Sequence, residues 1–265
     1  MSFGERKSAV GTIVARDGTV KYITAGVTYY VKQNFAPSIQ IFQAEVPQRK
    51  RKGIPETFFS NGPVEKLVSL LGLARCNVVL IKLASDLELS PPQRDRLTEA
   101  VGPDFYFSRD ASTYTKESLP HDDPEIAAGF QVVLDTVVRN WDDGERNLVT
   151  VDAVPVWFDF GASLDPRYQN IYRFILQLEE SRQQGRISSI VSYFMDYSRR
   201  RSQILRRAAS VFAYIPRTEI RTIIKISQVQ IPAYFGEYVV NNMKRVSEDI
   251  DILRGAFLRE NVLKR

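Results

Sequence analysis

Between Arg139 and Asn147 the sequence reads Arg-Asn-Trp-Asp-Asp-Gly-Glu-Arg-Asn, which sets an acid, Asp142, and an amide, Asn147, with four residues between them. An apolar segment from Leu148 to Phe158 then leads into Asp159-Phe160-Gly161. Phosphoryl transfer needs such groups in this order. One carboxylate orients an attacking hydroxyl, while an Asn and a second Asp hold magnesium on the nucleotide phosphates. Magnesium takes oxygen ligands and is commonly held by one or two carboxylates plus phosphate. A structural reading stands beside this one. Asp142-Asp143-Gly144 are good turn formers, and Asp159 could cap a following element.

The pattern resembles the catalytic and metal loops of the protein-kinase superfamily. Asp142 matches the catalytic-loop Asp, Asn147 the metal-binding Asn, and Asp159-Phe160-Gly161 the metal-binding Asp-Phe-Gly. The usual His-Arg before the Asp is replaced by Asn140-Trp141. No Ala-Pro-Glu and no long activation segment follow Gly161. The run Val137 to Leu148 is instead similar to the HipA-like kinases and, more distantly, to the type II phosphatidylinositol 4-kinases. Their loops read roughly Asn-x-Asp-Arg-x-x-x-Asn; here Asp143 stands where that Arg would be.

The resemblance covers Val27 to Pro166. It implies a two-lobed α+β fold, with a small antiparallel-sheet lobe over 1–108 and a mainly helical lobe over 109–265. It implies ATP and Mg²⁺ as cofactors and a protein Ser/Thr hydroxyl as acceptor, with phosphoinositides as the lipid alternative. Asp142 would orient or deprotonate the acceptor, and Asn147 and Asp159 would ligate the metal. Lys32 would hold the phosphates and Glu65 would steady Lys32.

Elements must exist to position these groups. Ser8–Ala15, Thr19–Thr24 and Gly26–Lys32 are rich in β-branched and aromatic residues and read as three strands, with Arg16-Asp17-Gly18 as a hairpin turn. Lys32 ends the third strand, where an ammonium acts as a point charge for phosphate; Lys21 is its rival, and an exposed strand-end lysine is the plain alternative. Gly11, Gly18 and Gly26 are too widely spaced for a Gly-x-Gly-x-x-Gly loop. Phe35 to Asn61 reads as irregular. Pro63 opens a helix that Gly72 closes; Glu65 near its start either pairs with Lys32 or simply favours the helix N-terminus. Val78–Ile81 reads as a buried strand, Gln93–Val101 as a helix, Pro103–Ser108 as the aromatic strand joining the lobes, and Asp110–Asp123 as a loop. Asp123-Pro124 to Asn140 is a helix feeding the catalytic loop. Leu148–Phe158 contains Pro155 and is expected as a hairpin or an edge. Helices follow over Tyr168–Gln184, Ile187–Ser210, Pro216–Ser227 and Pro232–Leu263, with apolar stripes at helical spacing. Trp141 and Trp157 read as packing residues.

The 265 residues suit one large domain or two lobes. The single cysteine, Cys76, lies in an apolar run, which points to a buried thiol rather than a disulfide or metal cluster. The single histidine, His121, lies in Pro-His-Asp-Asp-Pro and reads as a solvated loop, which removes Ser-His-Asp catalysis. The sequence has no run of roughly 18 apolar residues and no apolar leader at its start, so a cytosolic protein is expected. The net charge of +5 attracts phosphate-bearing partners. Two basic runs concentrate that charge: 48–53, and Arg199, Arg200, Arg201, Arg206 and Arg207. They read as solvated surface or as a site for nucleic acid or an anionic partner. A pseudokinase or binding module built on them is the second class of function.

Overall fold

Two tight turns start the fold in this computed structural model, which describes residues 11–33, 61–142, 144–186, 188–195, 198–226 and 233–263. Asp17 and Gly18 have φ of 50° and 74°, and Ala25 and Gly26 have 48° and 76°. Positive φ at both central positions is the turn whose twist matches that of paired strands. The hairpins join β1 (Thr12–Arg16), β2 (Thr19–Thr24) and β3 (Val27–Gln33), with Arg16 opposite Thr19 and Thr24 opposite Val27. β4 (Ile81–Leu83) and β5 (Phe105–Arg109) complete an antiparallel sheet in the order β1-β2-β3-β5-β4. The second and third strands and the aromatic strand are where the sequence puts them; of the first, expected over Ser8–Ala15, residues 8–10 lie outside the described residues and the strand runs from Thr12 to Arg16. The strand expected over Val78–Ile81 begins only at Ile81, because Val78 bridges instead to Trp157 of the second lobe.

Strand alternation decides what the sheet offers on each face. Val20, Tyr22, Tyr29, Val31, Phe105 and Phe107 are buried on one side. There they pack with Leu97 of helix α2 (Pro91–Val101). Tyr30, Lys32, Tyr106 and Ser108 fall on the other side, with Lys32 opposite Tyr106 and Tyr30 opposite Ser108. Helix α1 (Asn61–Gly72) packs against β4 on that second side and brings Glu65 to Tyr106.

The rest of the chain is mostly helical. Helix α3 (Pro124–Val138) is its axis, buried from Gly129 to Val138. Asp123 caps it by accepting from the Glu125 and Ile126 amides at 2.9 and 3.1 Å. A two-stranded hairpin, β6 (Leu148–Val151) and β7 (Val154–Trp157), follows, with Asp152 and Ala153 at positive φ in its turn. It is zipped to the first lobe. The Val79 amide donates to the Trp157 carbonyl at 3.0 Å and the Trp157 amide to the Asn77 carbonyl at 2.8 Å. Pro155 has no N–H to give, and its carbonyl accepts from the Asn77 side chain at 3.2 Å.

Five helices complete the fold: α4 (Ile171–Gln183), α5 (Ser189–Met195), α6 (Arg199–Ala213), α7 (Arg217–Ile226) and α8 (Ala233–Leu263). The single helix expected over Ile187–Ser210 is two. Ser198 is extended and starts α6 as its cap, its Oγ accepting from the Arg201 amide at 3.2 Å. His121 also departs from expectation. Its ring packs on Phe130 at 4.2 Å, its Nε2 lies 2.7 Å from the Arg75 carbonyl, and burial pushes its pKa down. The basic run 48–53 and Asp143 lie outside the described residues. Among the described residues no helix is long and apolar enough to cross a membrane. The architecture is thus the expected α+β one, a small antiparallel sheet and a mostly helical C-terminal part.

Candidate functional site

Helix α3 ends just before the loop that carries Asp142. Arg139 adopts a left-handed conformation, φ 54°, and its amide donates to the Asp135 carbonyl, which closes the helix and turns the chain. A non-glycine residue is held in that region only where its surroundings fix it. Here they do. The guanidinium of Arg139 is 2% exposed, pairs with Asp249 of α8 at 2.5 Å, and donates to the Thr136 carbonyl. It also lies over the Phe174 ring at 5.6 Å. Asn140 is tied as firmly, its Nδ2 donating to Asp135 Oδ1 at 3.0 Å. Trp141 packs edge-on against Tyr168. The loop therefore leaves a rigid base.

Asp142 and Asn147 meet directly. The Asn147 Nδ2 donates to the Asp142 carbonyl. The Asn147 carbonyl accepts from the Phe158 amide at 2.9 Å, which ties this loop to the residue before Asp159. The Asp142 carboxylate accepts from the Arg146 guanidinium at 2.5 Å on both oxygens. Those bonds, with the field of Asp159 adding to them, raise the Arg146 pKa. Arg146 is a residue the motif reading passed over. Its spacing of four from Asp142, ordinarily a helix-pair signal, is the cue that could have found it.

Asp159 has a φ of 65° and Phe160 is buried. Asparagine and aspartate enter that backbone region more readily than other side chains. Among the described residues no hydrogen bond or ion pair is made by the Asp159 carboxylate. Its charge is felt instead by Arg146 on one side and Glu65 on the other.

Glu65 is completely buried and accepts a 2.6 Å hydrogen bond from the Tyr106 hydroxyl. Its Oε2 is buried with no hydrogen-bond partner. Burial pushes its pKa up to about 7, opposed by the Lys32 ammonium, reinforced by the Asp159 carboxylate, and opposed by the Tyr106 hydrogen bond. The Tyr106 phenol is driven well upward in turn, by burial and then by Glu65. Lys32 and Glu65 are thus electrostatic neighbours but not hydrogen-bonded partners. Lys32 Nζ lies 5.6 Å from the centroid of Phe158, the residue adjoining Asp159. The rival Lys21 is engaged elsewhere, 3.4 Å from Asp110 and 4.5 Å over the Tyr30 ring.

Between the sheet and the β6–β7 hairpin lies a cavity of 420 Å³, lined by Tyr30, Lys32, Ser108, Asp110, Val149 and Phe158, among others. Lys32 and Phe158 stand at its wall. The cavity is walled by the strand joining the lobes on one side and by Val149 and Thr150 on the other. A flat, partly apolar ligand with a charged tail pointing to Lys32 fits such a slot.

The donor set also bears on a metal. Among the described residues no three of His, Cys, Asp and Glu are gathered as a cage. Magnesium does not require one, since phosphate and water supply the remaining oxygens. The Asn147 nitrogen is committed to Asp142, which leaves its side-chain oxygen as the atom it can offer a cation. The unpaired Asp159 carboxylate is the second oxygen donor. Both are oxygen donors of the class that magnesium takes.

The basic cluster on α6 is partly spent within the protein. Arg200 pairs with Asp123 at 2.5 Å and Glu125 at 2.7 Å, and Arg201 pairs with Glu125 at 3.0 Å. Arg201 also lies over the Tyr193 ring. Those contacts clamp α6 to the start of α3. Arg199, Arg206 and Arg207 point to the exposed side of α6.

No protein-family model matches the chain, and no curated protein matches it. Among solved structures, the chain is similar to one described as the crystal structure of a Helicobacter pylori proinflammatory kinase CtkA. The two are 11% identical, with a TM-score of 0.47, over 95% of this chain and 97% of that one.

Proposed function

We propose that this protein is an ATP- and Mg²⁺-dependent phosphotransferase of the kinase type, with a protein Ser or Thr hydroxyl as acceptor. One observation carries the reading: Lys32 of β3 and Phe158, the residue before Asp159, wall one cavity, and the Phe158 amide donates at 2.9 Å to the carbonyl of Asn147, whose side chain donates to the Asp142 carbonyl. On this reading the five residues nominated from sequence serve one cleft rather than scattering along a hairpin.

Each residue has a part. The slot bounded by Tyr30, Ser108 and Val149 takes the nucleotide base. Lys32 draws the phosphates, and the buried negative charge of Glu65 keeps its ammonium oriented. Asn147 and Asp159 offer the two protein oxygens for Mg²⁺, which would neutralise charge on the phosphates when bound. Asp142 lines up the acceptor hydroxyl. As the acceptor oxygen bonds to the γ-phosphorus, the bond from that phosphorus to the β-phosphate bridging oxygen breaks, ADP departs, and the hydroxyl proton passes to the Asp142 carboxylate. The serine or threonine acceptor rests on the likeness of the loop to the HipA-like group.

The test is a pair of variants read by two assays. Mg-ATP at about 100 times its Kd should stabilise the parent by roughly 2.7 kcal/mol, and chelation should remove that gain. Asp159→Ala should lose the metal-dependent gain. Asp142→Ala should keep it but lose transfer of label from γ-labelled ATP. Turnover at the parental rate in both variants would overturn the assignment.

A further inference from the structure

Helix α6 has one side spent on the core and one side turned to solvent. Ile204, Leu205, Ala208 and Phe212 face inward and are buried. Gln203, Arg206, Arg207, Ser210 and Tyr214 recur at helical spacing on the opposite side, and all are exposed. Tyr214 sits at the C-cap with 84% of its surface in solvent. Arg207 lies two turns before it, about 10 Å along the helix axis. Arg217 opens α7 three residues after it. The corner thus holds an open phenol ring with guanidiniums on the helix before it and on the helix after it.

The charge of this corner stays positive once the acids are set against it. Arg200 and Arg201 take up Asp123 and Glu125, and Arg75 takes up Glu219. Arg199, Arg206, Arg207, Arg217, Arg221 and Lys225 make no ion pair among the described residues. Three further acids stand against those six cations. Asp122 shares the field at His121 with Arg207, Glu237 lines a groove with Arg217 and Arg221, and Asp196 precedes α6 outside the described residues. Residues 227–232, also outside them, carry no charged side chain.

Surplus guanidinium around an open ring selects a particular polyanion. Paired N–H groups grip phosphate oxygens, and an exposed aromatic face stacks on an unpaired base whatever its identity. A duplex keeps its bases stacked on one another and offers the ring nothing. An acidic peptide would engage the arginines and leave Tyr214 idle. A bilayer asks for a strip of apolar groups to insert, and the apolar side of α6 is committed to the core.

We propose that the α6–α7 corner binds single-stranded nucleic acid, with Arg206, Arg207 and Arg217 on backbone phosphates and a base stacked on Tyr214. This surface is separate from the Lys32 cleft, and the proposal goes beyond the phosphotransferase reading.

The experiment uses the full chain and a fluorescent oligothymidylate of about 15 nucleotides, single-stranded or paired with its complement, read by anisotropy. The single strand should bind roughly tenfold tighter than the duplex, and Tyr214→Ala should remove most of that advantage. Tyr214→Phe should bind as the parent does, because the ring and not the hydroxyl makes the stack. Three arginines on phosphates predict that the logarithm of affinity falls with the logarithm of salt at a slope near about −2, and Arg206→Ala with Arg207→Ala should bring it to roughly −0.7. All these positions are exposed, so the variants should melt with the parent. No binding by the parent, equal affinity for the duplex, or parental affinity in Tyr214→Ala overturns the proposal. Polyglutamate bound as tightly as the oligonucleotide, and indifferent to Tyr214→Ala, overturns it in favour of an acidic protein. Binding to vesicles of anionic lipid without binding to the oligonucleotide overturns it in favour of a membrane surface.

Discussion

Glu65→Gln isolates the central electrostatic claim. The carboxyl is fully buried, and its pKa rises from 4.5 to about 7, chiefly through burial. A group whose folded pKa lies above its unfolded value holds its proton longer in the native state. Between pH 4.5 and about 7 the native state therefore binds more protons than the unfolded chain, and stability falls as pH rises through that window. At about 1.4 kcal/mol per pKa unit, ionising Glu65 in place costs the parent roughly 3 kcal/mol by pH 8. The amide of the Glu65→Gln variant would copy the protonated acid: it keeps an oxygen for the Tyr106 hydroxyl and has no charge to bury. Urea unfolding of parent and Glu65→Gln from pH 5 to 8.5 should give nearly equal stability at pH 5 and an excess for the variant of roughly 2–3 kcal/mol at pH 8. The same variant should bind Mg-ATP more weakly, since Lys32 loses its counter-charge. Parallel stability profiles would show that Glu65 is already satisfied and solvated, and the account of the Lys32–Glu65–Asp159 arrangement would fail with it.

Other consequences follow from packing. Arg139→Ala leaves the buried Asp249 with only the half-exposed Arg245 at 4.0 Å and should cost about 3 kcal/mol in urea unfolding; the double replacement Arg139→Met with Asp249→Leu should recover most of that loss. Gly129→Ala places a Cβ against Ile204 and the Tyr193 hydroxyl where α3 crosses α6 and α5. A loss of roughly 1–3 kcal/mol is expected, with the thermal midpoint as readout. Cys76 is 1% exposed and burial drives its thiol pKa well up. It should react with a thiol-directed reagent far more slowly in the native protein than in urea, and comparable rates would show that the α1–α3 contact is open.

Much of the fold was legible because local rules act within a few residues. Asp17-Gly18 and Ala25-Gly26 set the hairpins through their backbone angles. Asp123-Pro124 sets the start of α3 through a cap and a fixed φ. The boundary at Ser198 was lost because 195–203 contain no Gly or Pro to mark a stop between Phe194 and Ile204, and a serine inside a helical pattern does not announce itself as a cap. The site divides in the same way. Asp142, Asn147 and Asp159, the proposed acceptor and metal residues, are nominated by their order alone. Tyr106 could not be, because it meets Glu65 only through the pairing of β5 with β3 and the packing of α1 across the sheet. Lys21 shares a sheet face with Lys32, so Lys32 could be preferred only once the fold had paired Lys21 with Asp110.

Arg139 shows where a linear reading stops and why that matters for chemistry. In sequence it is one more cation before an acidic turn. In the fold it is an almost fully buried cation held by an aspartate 110 residues later on α8. That pair fixes a strained φ at the exit of α3, the exit sets the direction of the Asp142 loop, and the loop sets where an acceptor hydroxyl would stand. Phosphoryl transfer draws most of its rate from positioning and charge rather than from covalent help. On the proposed phosphotransferase reading, a helix that touches none of the nominated residues would bear directly on the geometry of the reacting groups, through Arg139 and Asp249.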